Sequence, residues 1–264
     1  MNFRKFTFIF FIFIILIFTQ FFLLSQKTSK KSRIAQKKIK EIQTPKGFQR
    51  VELDTNSFGF YLRNLNLSDD NKVYLFNGNL KNNQSAHYAV ILMDVGKSDL
   101  QQCADAVIRL RAEYLYKKKM YNKIHFNFLS DGKPRYYKDY AAGDYSYSKF
   151  RKYLNWIFAY SNTKSLIKEL KKIDILQMQV GDVFIQVGNP YGHAIIVVDM
   201  AYNPKNNEKI FLIAQSYMPA QSIHILKNIN NPELSPWYKL VEQDKIITPE
   251  WNFTTDDLHR FQDN

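Results

Sequence analysis

A long segment near the middle of the chain has apolar residues at helical spacing. The residues that recur three or four positions apart are Leu100, Cys103, Val107, Leu110 and Tyr114. This spacing is typical of one face of an amphipathic helix. It predicts a helix from about Leu100 to Lys118, with Ser98 or Asp99 as the N-cap.

Other segments complete a pattern of helices followed by strands. Helical spacing returns at 146–163 and 163–173, whereas β-branched and aromatic runs predict strands at 58–65, 72–76, 87–95, 181–187, 193–201, 209–217 and 221–227. The later strands follow one another with short turns, as in an antiparallel meander. This order predicts an α+β fold. We expect the aromatic tail, with "PWYKL" and "TPEWNF", to wrap the outside.

The N-terminal region differs from the rest of the chain. Residues 1–5 are a basic N-terminus, and residues 6–25 are long and apolar enough for a bilayer span. We expect a transmembrane anchor, with a cleaved signal segment as the alternative. Residues 26–45 read as a basic linker, and residues 46–264 as a single globular domain. The short basic N-terminus before the apolar segment favours export, which would place the globular domain outside the cytoplasm. The basic residues that follow the apolar segment favour a cytoplasmic domain instead.

Charge and cysteine content exclude several classes of protein. Residues 1–45 hold nine basic residues and one acidic residue, so the remaining 219 residues hold 28 and 23. The body is therefore only mildly basic, and we expect no nucleic-acid partner. A single cysteine excludes an internal disulfide. The five histidines form no pair at metal-ligand spacing, so we predict no metal site and no cofactor.

The single cysteine, Cys103, lies near the start of the predicted central helix. Unpaired backbone N–H groups and the positive end of the helix dipole stabilise a thiolate there, which predicts a lowered pKa and a stronger nucleophile. The same N–H groups, or the side-chain amides of Gln101 and Gln102, could hold an oxyanion. The alternative is a buried structural cysteine on the apolar face of the helix.

A base and an orienting residue follow Cys103 along the chain. His193 begins an apolar strand directly after a glycine, which suits a side chain that projects into a cleft. Gln215, near the end of the next strand, could accept a hydrogen bond from the imidazole. Asp199 is six residues along the same strand as His193, about 20 Å away in extended chain, so we expect a structural role for it. This order of nucleophile, base and polar residue matches papain-like cysteine hydrolases.

Longer motifs resemble a known family. "DLQQCADAVIRLRAEYLY", "GDVFIQVG", "GHAIIVVDMA", "AQSYMPAQSIHILKN", "PWY" and "TPEWNF" resemble, in order, a bacterial family known only as domain of unknown function four-eight-four-six. More distantly, the Gly-Asp strand and Gly-His strand are similar to NlpC-type and CHAP cell-wall amidohydrolases. That resemblance implies a papain-like core with Cys103 as nucleophile, His193 as base and Gln215 in the third position.

The sequence departs from those amidohydrolases in three places. "ADA" follows Cys103 instead of a Ser-Gly type pair, the third residue is usually not Gln, and a helical insertion at 121–173 lengthens the path to His193. Its many tyrosines could line a cleft or form a packing layer. Gln102, Tyr191 and Ser216 flank the three predicted catalytic residues and are the predicted substrate contacts.

Two functions are consistent with these features. The first is a membrane-anchored envelope hydrolase or acyltransferase that acts on an amide of a cell-wall peptide or a similar substrate. The second is a non-catalytic envelope protein that binds glycan or peptide on the same scaffold.

Overall fold

The computed structural model describes residues 37–240 and 245–262. The helices are α1 (Phe58–Arg63), α2 (Cys103–Lys117), α3 (Tyr137–Ala141), α4 (Tyr147–Tyr160) and α5 (Thr163–Leu166). The strands are β1 (Gln49–Arg50), β2 (His87–Val90), β3 (His125–Asn127), β4 (Pro134–Tyr136), β5 (Leu170–Lys172), β6 (Val183–Gln186), β7 (His193–Tyr202), β8 (Lys209–Gln215), β9 (His224–Leu226), β10 (Tyr238–Leu240), β11 (Lys245–Ile247), β12 (Asn252–Thr254) and β13 (Leu258–Phe261). Short 3₁₀ turns lie at Ile39–Glu41, Tyr121–Lys123, Ile167–Glu169, Ile175–Gln177 and Thr255–Asp257.

One large antiparallel sheet organises the fold. Its strand order is β2-β9-β8-β7-β6-β13-β5, with β1 paired to β7 and β10 paired to β8. All of these pairs are antiparallel. Two small hairpins, β3–β4 and β11–β12, lie outside it. The α+β prediction is confirmed at this level: helices and a large antiparallel sheet share one core.

The central helix α2 contacts β7 and β8 and is buried around almost its whole circumference. Within α2, only Glu113, Tyr116 and Lys117 are not buried. The sequence predicted a single apolar face from Leu100. The helix instead begins at Cys103, because the backbone N–H of Gln102 is capped by the carboxyl of Asp105 at 3.1 Å.

Three of the predicted elements were wrong. The segment 72–76 forms no strand: Tyr74 and Leu75 make only isolated bridges, to Leu80 and Gln221. The segment 58–65 is the helix α1 rather than a strand: Ser57 caps it by accepting from the N–H of Phe60 at 3.1 Å, and Phe58 and Leu62 share its buried face. The segment 163–173 begins as α5 but ends as strand β5. A free sheet edge at β13 gives Leu170–Lys172 its backbone partners, and this outweighs local helix propensity.

The two ends of the folded body also differ from expectation. The tail does not wrap the outside, since β13 lies inside the sheet between β6 and β5, and Phe253 and Leu258 have no exposed surface. The compact unit starts at Lys37, inside the predicted linker 26–45, because Ile39 and Ile42 are buried in the core. Apolar side chains in a basic segment therefore mark the start of the body.

The predicted membrane segment at 6–25 lies outside the described residues. Within the part of the chain that the structure describes, no helix has the length and apolarity to cross a bilayer.

Candidate functional site

Cys103 is the first residue of α2, and its sulfur lies against the start of strand β7. Sγ is 3.9 Å from the carbonyl oxygen of Gly192, and the backbone N–H of Ala194 also faces the sulfur. These two residues flank His193. The thiol is thus beside the histidine's own stretch of backbone, although Cys103 is only 6% exposed.

The structure corrects the predicted acidity of this thiol. Burial raises the pKa of Cys103 to about 11, and the charge of Asp105 acts in the same direction. The backbone N–H groups of Ala194, Ala104 and Cys103 itself lower the pKa, as expected at a helix start, but they do not outweigh burial. The resting group is a protonated thiol with three N–H groups aimed at it.

His193 and Gln215 are joined, as the sequence predicted. The imidazole Nε2 is 2.9 Å from the side-chain oxygen of Gln215, and both side chains are buried. Burial lowers the pKa of His193 to about 4; the bond to Gln215 opposes that shift and the charge of Lys81 adds to it. Within residues 37–240 and 245–262, no hydrogen bond joins this imidazole to the thiol of Cys103. At rest the thiol donates to Gly192 instead.

The Gln215 amide has two further partners, which sequence reasoning missed. Its nitrogen donates to Oε2 of Glu250 at 2.8 Å and lies 3.3 Å from Nε2 of His224. Lys81 forms an ion pair with the same carboxylate oxygen of Glu250. Glu250 belongs to "TPEWNF", so the motif assigned to an outer tail supplies one side of the site.

These contacts fix which nitrogen of His193 carries the proton. A carboxylate only accepts hydrogen bonds, so the NH₂ group of Gln215 must face Glu250 and its oxygen must face His193. That oxygen accepts from Nε2–H of the imidazole. In the neutral ring Nδ1 therefore has the free lone pair, and no hydrogen bond occupies Nδ1 among the described residues.

Aromatic rings surround the imidazole. The ring centroid of His193 lies 4.8 Å from that of Tyr217, 5.3 Å from that of Trp251 and 5.8 Å from that of Phe253. The indole N–H of Trp251 donates to the side chain of Gln186 at 2.8 Å, which fixes the segment that follows Glu250. Burial among these aromatic rings removes water from the imidazole and accounts for the lowered pKa of His193.

The predicted substrate contacts have different environments. Tyr191 is 63% exposed in the loop just before His193. Gln102 is half-buried, and its amide donates to Asp99 at 3.0 Å. Ser216 has no exposed surface; its hydroxyl bonds the carbonyl oxygen of Gln101 at 3.0 Å. It anchors the entry to α2 and does not face solvent.

Gln101 and Asp199 have structural partners. The side-chain oxygen of Gln101 accepts from Arg109 at 2.9 Å, so its amide is held away from the role of oxyanion donor. The carboxylate of Asp199 binds Arg50 and Arg63, in agreement with the structural role that its distance from His193 predicted. Neither residue adds a reactive group to the site.

The glycine before His193 permits the close approach of three elements. A Cβ at Gly192 would lie well inside contact distance of the carbonyl oxygen of Gln186 and the hydroxyl of Thr163. We expect Gly192→Ala to lower the free energy of unfolding by about 1–3 kcal/mol, because backbone at the start of β7 must shift. Chemical denaturation measures this; a loss below about 0.5 kcal/mol would contradict the crowded geometry.

A large cavity lies elsewhere in the fold and does not include this site. A cavity of about 910 Å³ lies between α1 and the later turns of α2, and its lining includes Phe58, Arg111, Tyr114 and Arg260 but neither Cys103 nor His193. No cluster of three potential metal ligands occurs in the described ranges.

Fold and site together define a class: an α+β protein in which a cysteine opens a buried helix beside a strand that begins with a glutamine-bonded histidine. The chain belongs to the family described as a domain of unknown function (4846), whose model matches residues 39–260. This confirms the resemblance to that family. No curated protein and no solved structure matches the chain, so the comparisons lend no support to the more distant resemblance to NlpC-type and CHAP amidohydrolases.

Proposed function

We propose that this protein is a membrane-anchored envelope hydrolase or acyltransferase with a papain-like core, which acts on an amide of a cell-wall peptide or a similar acyl substrate. Cys103 is the nucleophile, His193 the base and Gln215 the residue that orients the base. The observation that carries the proposal is the 2.9 Å bond from Nε2 of His193 to Gln215, beside a thiol that touches both neighbours of His193. The anchor and the extracytoplasmic location rest on residues 1–25 of the sequence.

The chemistry follows from the free lone pair on Nδ1. As Sγ of Cys103 bonds to the substrate carbonyl carbon, the thiol proton moves to Nδ1 of His193 and the carbonyl π electrons move to oxygen. Collapse breaks the C–N bond, and the leaving amine takes the proton from Nδ1. Water, or an acceptor amine, then attacks the thioester carbon and gives a proton to Nδ1 of His193. The C–S bond breaks, the acid or the new amide leaves, and the sulfur takes the proton back from Nδ1, which restores the thiol. The N–H groups near Sγ would bind the oxyanion.

The resting protonation states suit proton transfer during attack rather than a preformed ion pair. Since the pKa of Cys103 is raised to about 11 and that of His193 is lowered to about 4, both groups are neutral near pH 7. The thiol must turn from the Gly192 carbonyl toward the imidazole when substrate enters. Catalytic hydrogen bonds commonly tighten only in the substrate complex.

The alternative is a non-catalytic envelope protein that binds glycan or peptide on the same scaffold. The burial of both groups favours it, with Cys103 6% and His193 1% exposed.

Acylation of the full-length chain by p-nitrophenyl acetate, in a mild non-ionic detergent, separates these functions. We expect wild type to release nitrophenolate in a burst and to carry an acetyl group on Cys103, located by peptide mass spectrometry. Cys103→Ser should lose the burst, and His193→Gln should slow it by about a hundredfold. No burst in wild type, or an equal rate in His193→Gln, would reject the hydrolase in favour of the binding protein.

A further inference from the structure

The side-chain amide of Gln215 has two possible orientations, which exchange the positions of its oxygen and its nitrogen. Both could be hydrogen-bonded unless one neighbouring group accepts only one of them. The Nε2 atom of His193 can donate or accept, so this imidazole does not by itself decide the orientation. Glu250 can only accept, and its bond to the Gln215 nitrogen, at 2.8 Å, is shorter than the 3.3 Å contact with His224. A bond to a charged acceptor is also the stronger kind. Glu250 is therefore the main determinant of the amide's orientation.

Lys81 pairs with this acceptor. Its ammonium binds the same oxygen of Glu250 that accepts from Gln215, and the two side chains are 8% and 13% exposed. The ion pair and the amide thus act as one unit.

His224 supports the same orientation. Its Nδ1 lies 2.8 Å from the carbonyl oxygen of Ser222, which only accepts, so Nδ1 carries the proton and Nε2 accepts from Gln215. The charged and titratable groups near the amide include Lys81, Glu250, His193 and His224. The ring of Tyr217 lies 4.8 Å from that of His193, and the ring of His87 lies 5.9 Å from that of His224.

We propose that Glu250, paired with Lys81, is a positioning residue that orients the Gln215 amide and so keeps the proton of the resting His193 imidazole on Nε2 and the lone pair on Nδ1. This inference rests on the proposed function, because it assigns the pair a role in preparing the base for Cys103. None of the sequence motifs had linked Lys81 or Glu250 to that base.

The double variant Lys81→Met/Glu250→Met tests this, because it removes both charges at similar volume, a change that folded proteins often tolerate. Histidine ¹⁵N spectra of the full-length chain report the tautomer without any need for activity. We expect a single Nε2–H tautomer of His193 in wild type and a mixture in the variant. Burst acylation should slow by about tenfold, since one well-placed hydrogen bond is lost.

Two further variants test this interpretation. Lys239→Met/Glu208→Met removes a more exposed ion pair of 3.0 Å and should match wild type. If the double variant does not fold, Glu250→Gln is used instead, because it keeps the shape of the side chain but removes its charge. We expect acylation by this variant to be about threefold slower than by wild type. An acylation rate equal to that of wild type would overturn the role of the carboxylate.

The outcomes for the two proposals are distinct. An unchanged tautomer and unchanged rate in the folded double variant would overturn the positioning role and leave the hydrolase proposal intact. A wild type that shows the Nε2–H tautomer but no acylation would reject the hydrolase, while a tautomer shift in the variant would still support control of His193 by Glu250.

Discussion

Replacing Asp199 by alanine is expected to lower the free energy of unfolding by about 3–5 kcal/mol, because it leaves the buried Arg63 and the partly buried Arg50 without their carboxylate partner. The Asp199 side chain is completely buried, with one carboxylate oxygen 2.5 Å from Nε of Arg63 and the other 2.7 Å from Nε of Arg50. The same guanidinium of Arg63 donates to the carbonyl oxygen of Val51 at 2.8 Å. Strands β7 and β1 and helix α1 all meet at this carboxylate.

Urea denaturation of Asp199→Ala, followed by tryptophan fluorescence, measures this loss. The matched control is Asp256→Ala, whose ion pair with Lys172 is 2.8 Å long but lies on the surface, with the two side chains 81% and 61% exposed. We expect the control to change stability by less than about 0.5 kcal/mol. Similar losses in both variants would mean that burial does not distinguish the two carboxylates.

Acid is expected to destabilise the fold through its buried histidines. Burial lowers the pKa of His193 to about 4 and that of His224 to about 3, and the charge of Lys81 acts in the same direction. Between about pH 3 and 6.5 the unfolded chain binds protons on these rings that the native state does not. Their contribution to stability is complete above pH 6.5 and is lost as the pH falls toward 4, by an amount on the order of 3 kcal/mol for each.

The difference in free energy of unfolding between wild type and a variant isolates the contribution of one histidine. This matters because some buried acids change stability with pH in the opposite direction. Burial raises the pKa of Asp105 and that of Asp182, so their contributions to stability fall as the pH rises through the acid range. His224→Gln removes the titration of His224 alone. The free energy by which wild type exceeds this variant should shrink by on the order of 3 kcal/mol from pH 7 to pH 4. A gap independent of pH would show that His224 titrates alike in the native and unfolded states, so that burial does not lower its pKa.

Sequence patterns were sufficient for the elements with strong periodicity or β-propensity. The helix that begins with Cys103 and the strands that contain His193 and Gln215 lie close to their predicted positions. These three residues come together where α2 and β7 begin and β8 ends. The six-residue helix at Phe58–Arg63 was missed because its aromatic residues also suit a strand, and only the Ser57 cap distinguishes the two.

Tertiary contacts explain what the sequence could not provide. Lys81 and Glu250 are 169 residues apart, and no local pattern links either one to Gln215. The pKa of Cys103 was predicted in the wrong direction, because a helix start is a local feature whereas burial depends on the whole fold. The glutamate within "TPEWNF" was the one available signal, as a charge inside an otherwise aromatic segment.

The interior position of β13 has a consequence for biosynthesis. Until residues 258–261 have left the ribosome, β5 has no partner in the sheet and β6 keeps an open edge. Glu250 and Trp251 also emerge late, after every strand of the meander. A nascent chain of this protein therefore presents an unprotected β-edge and an incomplete thiol site until residues 250–261 have emerged, and open edges of this kind are where premature aggregation begins.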